Sequence, residues 1–488
     1  MAVRTSKFRH IYGDRNVKSY NGVPISKNAH EQGFCSVNPK FVAVVAEQIG
    51  GGAFFVLKTD RIGGIDASSC KISKHNGAVY DIRWNPFNDN LIGSACDDGL
   101  VRLWNITDEK GVESNHSPVQ TMKGHGKRVG GLMWHPSADN ILASSSYDNT
   151  VKLWNAETAQ IVSELSSFTN QITDMCFTTD GSQIGTTCKD KKLRVFDSHT
   201  GQIVVEGPGH DNMKVSRLRM LKDGNILTAG FSSMSSRCLR LYDPRNMSSK
   251  LEELPIDSAT GSLFPHYDPD LNLMYIAGKG DANIKFYELA GGSVFYLNQY
   301  SSGDAQRGIG MMPKRGLDST INEVARAYKL NVGKKLVNVI PLKVPRQSKT
   351  FAEDLYPDTA GYTPALTADQ FIAGENSAPA VLPFLELQAA NSTSKGFSAS
   401  NASTEIPLLD TACTEQYTNG IDNSKEVATL KAEISALKNT VNEKMTTIET
   451  KTSRIEELEE ENRKLEEQLS SANEEIAELQ RNGVEDDN

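Results

Sequence analysis

One short phrase keeps returning along this chain, and it constrains the fold more than any other feature. From Asp97 the sequence reads Asp-Asp-Gly-Leu-Val-Arg-Leu-Trp-Asn, and from Tyr147 it reads Tyr-Asp-Asn-Thr-Val-Lys-Leu-Trp-Asn. Weaker copies follow at Lys189 (Lys-Asp-Lys-Lys-Leu-Arg-Val-Phe-Asp), Arg237 (Arg-Cys-Leu-Arg-Leu-Tyr-Asp) and Asp281 (Asp-Ala-Asn-Ile-Lys-Phe-Tyr-Glu). The aromatic residues near the ends of the copies are Trp104, Trp154, Phe196, Tyr242 and Tyr287, at intervals of 50, 42, 46 and 45 residues. A unit of that size cannot bury its own apolar face and must stack on copies of itself.

Within each unit the residues alternate as strands do. Val101-Arg102-Leu103-Trp104 is expected to send one face into the gap between units and the other outward. His75, His125 and His210 open three units, and Trp84-Asn85-Pro86 and Trp134-His135-Pro136 recur between them. This pattern resembles the WD-repeat family, whose units are four-stranded propeller blades. A sixth unit is expected over 34–57 and a seventh ending near 336–340, which makes an all-β, seven-bladed propeller. The segment around Phe8 to Tyr12 is expected to add a strand to the last blade, since closing the ring removes exposed edges. The resemblance implies that the turn aspartates Asp98, Asp148 and Asp190 bond back to the histidine of their own blade, with His125 and Asp148 the best match. Together with Trp104 and Trp154 these are read as structural residues. A side chain that recurs once per blade suits packing better than a single active site, so neither enzyme activity nor a cofactor or metal is expected.

Segments outside the repeat narrow the family further. Lys-Phe-Arg-His-Ile-Tyr-Gly from Lys7, Phe34-Cys-Ser-Val-Asn-Pro-Lys-Phe41, Gly50-Gly-Gly-Ala-Phe-Phe55 and Gly278-Lys-Gly-Asp281 resemble signatures of coronin, the actin-binding propeller family. So do Gln306 to Asp318, Pro345-Arg346 and Asp354-Leu-Tyr-Pro-Asp-Thr359, in the region that family packs against its ring. The likeness spans roughly residues 5–375. It implies that filamentous actin and the branching complex of actin-related proteins are partners, in the cytoplasm at the actin cytoskeleton and cell cortex. It also implies a basic filament-binding residue in the stretch from Ser19 to Gln32, where Lys27 is the best match and Pro24 interrupts the expected strand. Phe371 stands where the family usually has Trp. Gly50-Gly51-Gly52 reads as a tight turn, since no Gly-Lys-Ser/Thr follows it. The basic loop from Met311 to Arg315 reads as packing rather than as a phosphate site.

The rest of the chain differs in character. Residues 376–424 are rich in Ser, Thr, Ala and Asn without a lasting period, which predicts a flexible linker. From Val427 a heptad begins, with Val427, Ile434, Val441, Ile448, Ile455, Asn462, Leu469 and Ile476 at a. Leu430, Leu437, Lys444, Lys451, Leu458, Leu465, Ala472 and Leu479 fall at d. That is a parallel α-helical coiled coil and therefore a homo-oligomer. Asn462 at an a position favours a dimer. Arg454 to Glu459 resembles the Arg-h-x-x-h-Glu trimerisation motif (h apolar), with Arg454 able to fork onto a neighbour's Glu459 beside Ile455 and Leu458. A trimer is the favoured state and a dimer the alternative. The expected divisions are 1–345 propeller, 346–375 extension, 376–424 linker, 425–481 coiled coil and 482–488 acidic tail.

Charge follows these divisions. The net −9 is the sum of +8 over 1–350 (42 basic, 34 acidic), −9 over 351–424 (1 and 10) and −8 over 425–488 (9 and 17). A basic body suits a polyanionic protein partner. No long Lys/Arg block occurs and the acidic tail would repel phosphate, so no nucleic acid is expected. No run approaches the roughly 20 apolar residues of a membrane helix, so no integral membrane segment is expected. Seven cysteines with no Cys-x-x-Cys pair suggest buried free thiols in a reducing compartment. The competing reading of the whole chain is a generic WD-repeat scaffold in vesicle trafficking or signalling.

Overall fold

A computed structural model describes residues 5–395 apart from 15–16, 48–50, 66–70, 107–116 and 348–349, together with Lys464. The chain divides into two units, Met1–Ala399 and Ser400–Asn488. The coiled-coil residues Arg454, Ile455, Leu458, Glu459, Asn462 and Leu465 lie outside the described residues, as does the linker beyond 395. Lys464 is helical and exposed.

The first unit is a seven-bladed β-propeller. Blade one holds strands Cys35–Val37, Phe41–Ala46, Gly52–Lys58 and Lys71–His75. Blades two to six repeat that antiparallel order, with inner strands Val79–Trp84, Val129–Trp134, Ile172–Phe177, Arg217–Met220 and Leu263–Asp268. Blade seven takes Gly308–Met311, Glu323–Asn331 and Leu336–Lys343, and its outer edge comes from the other end of the chain. Tyr12 and Gly13 pair with Lys343 and Leu342, and Lys18–Asn21 pair with Val339 back to Leu336. The closing strand thus comes in two pieces and lies slightly later than Phe8 to Tyr12. Phe8 is buried instead.

The recurring aromatics sit where adjoining blades meet. Trp104, Trp154, Phe196, Tyr242 and Tyr287 are all buried on third strands. Inner strands are stitched by polar contacts. Trp84 Nε1 donates to the Ser36 carbonyl and Trp134 Nε1 to the Arg83 carbonyl. In the same direction, the backbone N–H groups of Leu132 and Leu218 donate to Asp81 and Asp174 of the preceding blades. Gly52 confirms the tight approach at its turn: a Cβ there would lie 2.1 Å from the Gly77 carbonyl oxygen.

One expectation about the strands needs correction. The polar half of the alternation does not face outward, because blades cover both faces of each third strand. Arg102, Lys152, Arg194 and Arg240 are buried. Each is matched by acids of its own blade: Arg102 with Asp98, Lys152 with Glu164, Arg194 with Asp190 and Glu206, and Arg240 with Asp211 and Glu253. Lys285, half-buried on the third strand of blade six, instead pairs across to Asp257 of blade five at 2.6 Å.

A second correction concerns the end of the propeller unit. Residues 376–395 are not a tether. Val381–Leu382 pair with Thr359–Ala360, and a helix runs over Phe384–Lys395 with Phe384 and Leu387 buried. Two apolar side chains three residues apart anchor a segment whose average composition looks like linker. Upstream, Thr367 caps the short helix Ala368–Ile372 in a capping box with Gln370.

Candidate protein-interaction face

The two ends of the ring differ. One end carries the loops that return within blades toward the C-terminal extension, and that extension covers it. Arg315 reaches Asp89, with Nη2 2.5 Å from Oδ1, and Lys314 lies 2.8 Å from Asp268. The basic 311–315 loop is therefore neutralised by packing. Thr359 bonds to Asp270, and Ala365 and Leu366 donate to the Ser137 carbonyl. Phe371 is fully buried with ring centroids 4.6 Å from His135 and 4.3 Å from His199.

The opposite end carries the crossovers between blades and the turns between second and third strands. His125 belongs to this end. Its Nδ1 lies 2.9 Å from Asp148 and its Nε2 2.7 Å from Ser144, whose hydroxyl also accepts from Trp154 Nε1. The other turn aspartates differ from expectation. Asp98 and Asp190 clasp Arg102 and Arg194 at 2.7 Å rather than a histidine. His75 keeps only Ser94, and its Nδ1 is buried without a partner. Blade four has no histidine at the equivalent place, since Thr169 takes the contact to Asp190. Where an Arg stands four residues after the aspartate, it wins the carboxylate because a charge-assisted guanidinium contact is stronger than one to a neutral imidazole. Burial holds His75, His135 and His210 down to about 4 and keeps them neutral.

Lys27 projects from this same end. Its side chain is 67% exposed and lies 3.2 Å from Glu47. The segment around it is not a strand. Lys18–Asn21 ends before Pro24, and residues 28–32 then cross the mouth of the central channel as a plug. Contacts to five blades, on or beside their inner strands and to one turn of blade six, place it there. His30 stacks on Tyr80 at 4.4 Å, Gln32 donates to the Gly130 carbonyl, and Arg217 bonds Gln32 and the Glu31 carbonyl. Glu31 accepts from Lys279 and Ser262, and Arg307 reaches the Asn28 and His30 carbonyls. The plug ends at Phe34, which is buried with φ of 58°, a left-handed conformation that a large side chain rarely adopts. Sequence reasoning missed the plug because it breaks the repeat. Glu31 and His30 flanked by Gly33 were its only signal.

Around the plug the surface is basic. Lys123, Lys127 and Lys191 are exposed on crossovers and turns of blades three and four, and none has an ion-pair partner among the described residues. Lys192 is matched by Glu206. Among the described residues no cluster of His, Cys, Asp or Glu could hold a metal, and no helix is long and apolar enough to cross a membrane. Cys35, Cys96, Cys176, Cys188 and Cys238 are free thiols.

Comparison with known proteins agrees with this architecture. The WD domain, G-beta repeat family matches residues 68–105, 116–155 and 160–197, and a further type of WD40 repeat matches 337–379. A domain of unknown function, DUF1899, matches residues 1–64. Human Coronin-2A is 41% identical over 387 residues, covering 77% of this chain and 73% of that protein. Coronin-2B of Xenopus laevis is 43% identical, covering 78% of this chain and 82% of that protein. Human Coronin-2B is 44% identical over 78% of this chain and 81% of its own length. Among solved structures, the WD40 domain of Toxoplasma gondii coronin aligns with a TM-score of 0.74 at 27% identity, over 77% of this chain and 97% of that one.

Proposed function

The chain belongs to the coronin family, and on that premise we propose that it is an actin-filament regulator of the cytoplasm and cell cortex. Its propeller binds filaments weakly through the face that bears Lys27 and the lysines of blades three and four. The heptads after Val427 join copies into a trimer, with a dimer as the alternative, and engage the branching complex of actin-related proteins. The observation that carries this reading is the asymmetry of the ring. The extension neutralises and covers one end, while on the other Lys123, Lys127 and Lys191 have no ion-pair partner among the described residues. An acidic filament is attracted to such a face over a distance of about 10 Å at 0.1 M salt. Linking weak sites on one rod raises avidity by roughly 10²–10⁴-fold.

Pelleting with actin filaments tests it. Lys27→Asp sets a second acid beside Glu47 and is expected to weaken pelleting while leaving the thermal midpoint unchanged. Removing 425–488 is expected to weaken it further through lost avidity. Unaltered pelleting of Lys27→Asp would move the interface elsewhere on the ring.

A further inference from the structure

Beside the plug, a cavity of about 370 Å³ opens at the channel mouth between residues 28–32 and the inner ends of blades two to five. Its lining is polar and cationic: Arg128, Lys189 and Arg217 carry the charge, with Tyr147, Gln171 and Thr173 between them. Glu31 is the only acid on the wall among the described residues, and its carboxylate is already taken by Lys279 at 2.7 Å and Ser262 at 2.5 Å. Arg217 is 3% exposed, shares Asp174 with Arg219, and leaves its Nε buried without a partner. Arg128 lies 3.9 Å over the Tyr147 ring, and its one carboxylate neighbour, Asp97, is 4.0 Å away. Lys189 has no ion pair among the described residues. The wall therefore holds more positive charge than its own acids neutralise, in a concave site of a size suited to ligands.

We propose that this cavity is a binding site for an acidic peptide of a partner protein, which places a glutamate or aspartate carboxylate among Arg128, Lys189 and Arg217. Planar guanidinium groups receive a carboxylate through paired N–H donors. Along one side the His30 ring stacks on Tyr80 at 4.4 Å and is tilted by 45° against Tyr147 at 6.2 Å, which gives the peptide stem an aromatic wall. The site lies at the same end of the ring as Lys27, Lys123, Lys127 and Lys191 but is lined by other residues, and peptide binding measured without actin is independent of the filament reading.

Fluorescence anisotropy of a fluorescein-labelled peptide of alternating glutamate and glycine, titrated with the full-length protein without actin, tests the proposal. The expected result is saturable, salt-sensitive binding that the glutamine counterpart lacks. Lys189→Glu and Arg128→Gln each weaken it by about tenfold, with thermal midpoints retained. Lys334→Glu, on an exposed turn of blade seven outside the cavity, leaves it unchanged. Three results would each overturn the proposal. They are no binding of the glutamate peptide, equal loss in Lys334→Glu, and binding to anionic lipid vesicles or inorganic phosphate in place of the peptide.

Discussion

At the scale of single residues, burial decides what the ionisable groups of this ring do. His125 sits between Asp148 and Ser144, and Trp154 completes the set through the same serine. The histidines buried with fewer partners are strongly perturbed: His75, His135 and His210 fall to about 4, and His30 and His266 to about 3, chiefly by desolvation. Their folded values lie below the ordinary 6.5, so the unfolded chain binds more protons and stability falls as pH falls. The loss begins near pH 6.5 and continues toward pH 4 and 3, at up to about 1.4 kcal/mol per group per pH unit. Asp148 and Asp190 are lowered as well, and their contribution disappears only below the carboxylate range. Denaturant unfolding at pH 7 and pH 5 is expected to show a loss of several kcal/mol, with uptake of about four protons on unfolding at pH 5. Equal stability at the two values would contradict the buried neutral histidines.

At the scale of elements, the extension is the feature whose role is most directly testable. Phe371 lies between His135 of blade three and His199 of blade four, and Thr359 and Leu366 fasten the segment on either side of it. Phe371→Ala is expected to cost about 3–5 kcal/mol of local docking and to expose new protease sites between 346 and 375. An unchanged digestion pattern would show that the flanking hydrogen bonds suffice. Blades two to six were legible in the sequence because each repeats an aromatic at the same place, from Trp104 to Tyr287. The plug was not, since residues 28–32 occur once and owe their shape to Arg217, Lys279 and Arg307 from distant blades. The paired cations were misread for a related reason. Arg102 and Arg194 look like the outer half of an alternating strand until neighbouring blades cover both faces. The helix Phe384–Lys395 escaped because the contacts that hold it, buried Phe384 and Leu387 and Gln388 bonded to the Leu317 carbonyl and Ser319, stand within a stretch of linker-like composition.

At the scale of the whole molecule, charge is segregated. The first 350 residues sum to +8 and the remainder to −17, from −9 and −8. Within the propeller the excess is segregated again: the covered end matches Lys314 and Arg315 with Asp268 and Asp89, and at the open end Lys123, Lys127 and Lys191 have no ion-pair partner among the described residues. Oligomerisation would multiply that open face. Light scattering coupled to sizing of the full-length protein is expected to give three times the 53.4 kDa chain mass, and a twofold mass would favour the dimer set by Asn462. The central claim is that the open basic face binds filaments, and one measurement bears on it most directly. Filament pelleting of the wild type and of Lys127→Glu/Lys191→Glu should be compared at low and raised salt. The wild type is expected to pellet at low salt and weaken as salt rises, with the double variant about tenfold weaker throughout. Absence of wild-type pelleting at low salt, or equal pelleting of the two proteins, would contradict the claim.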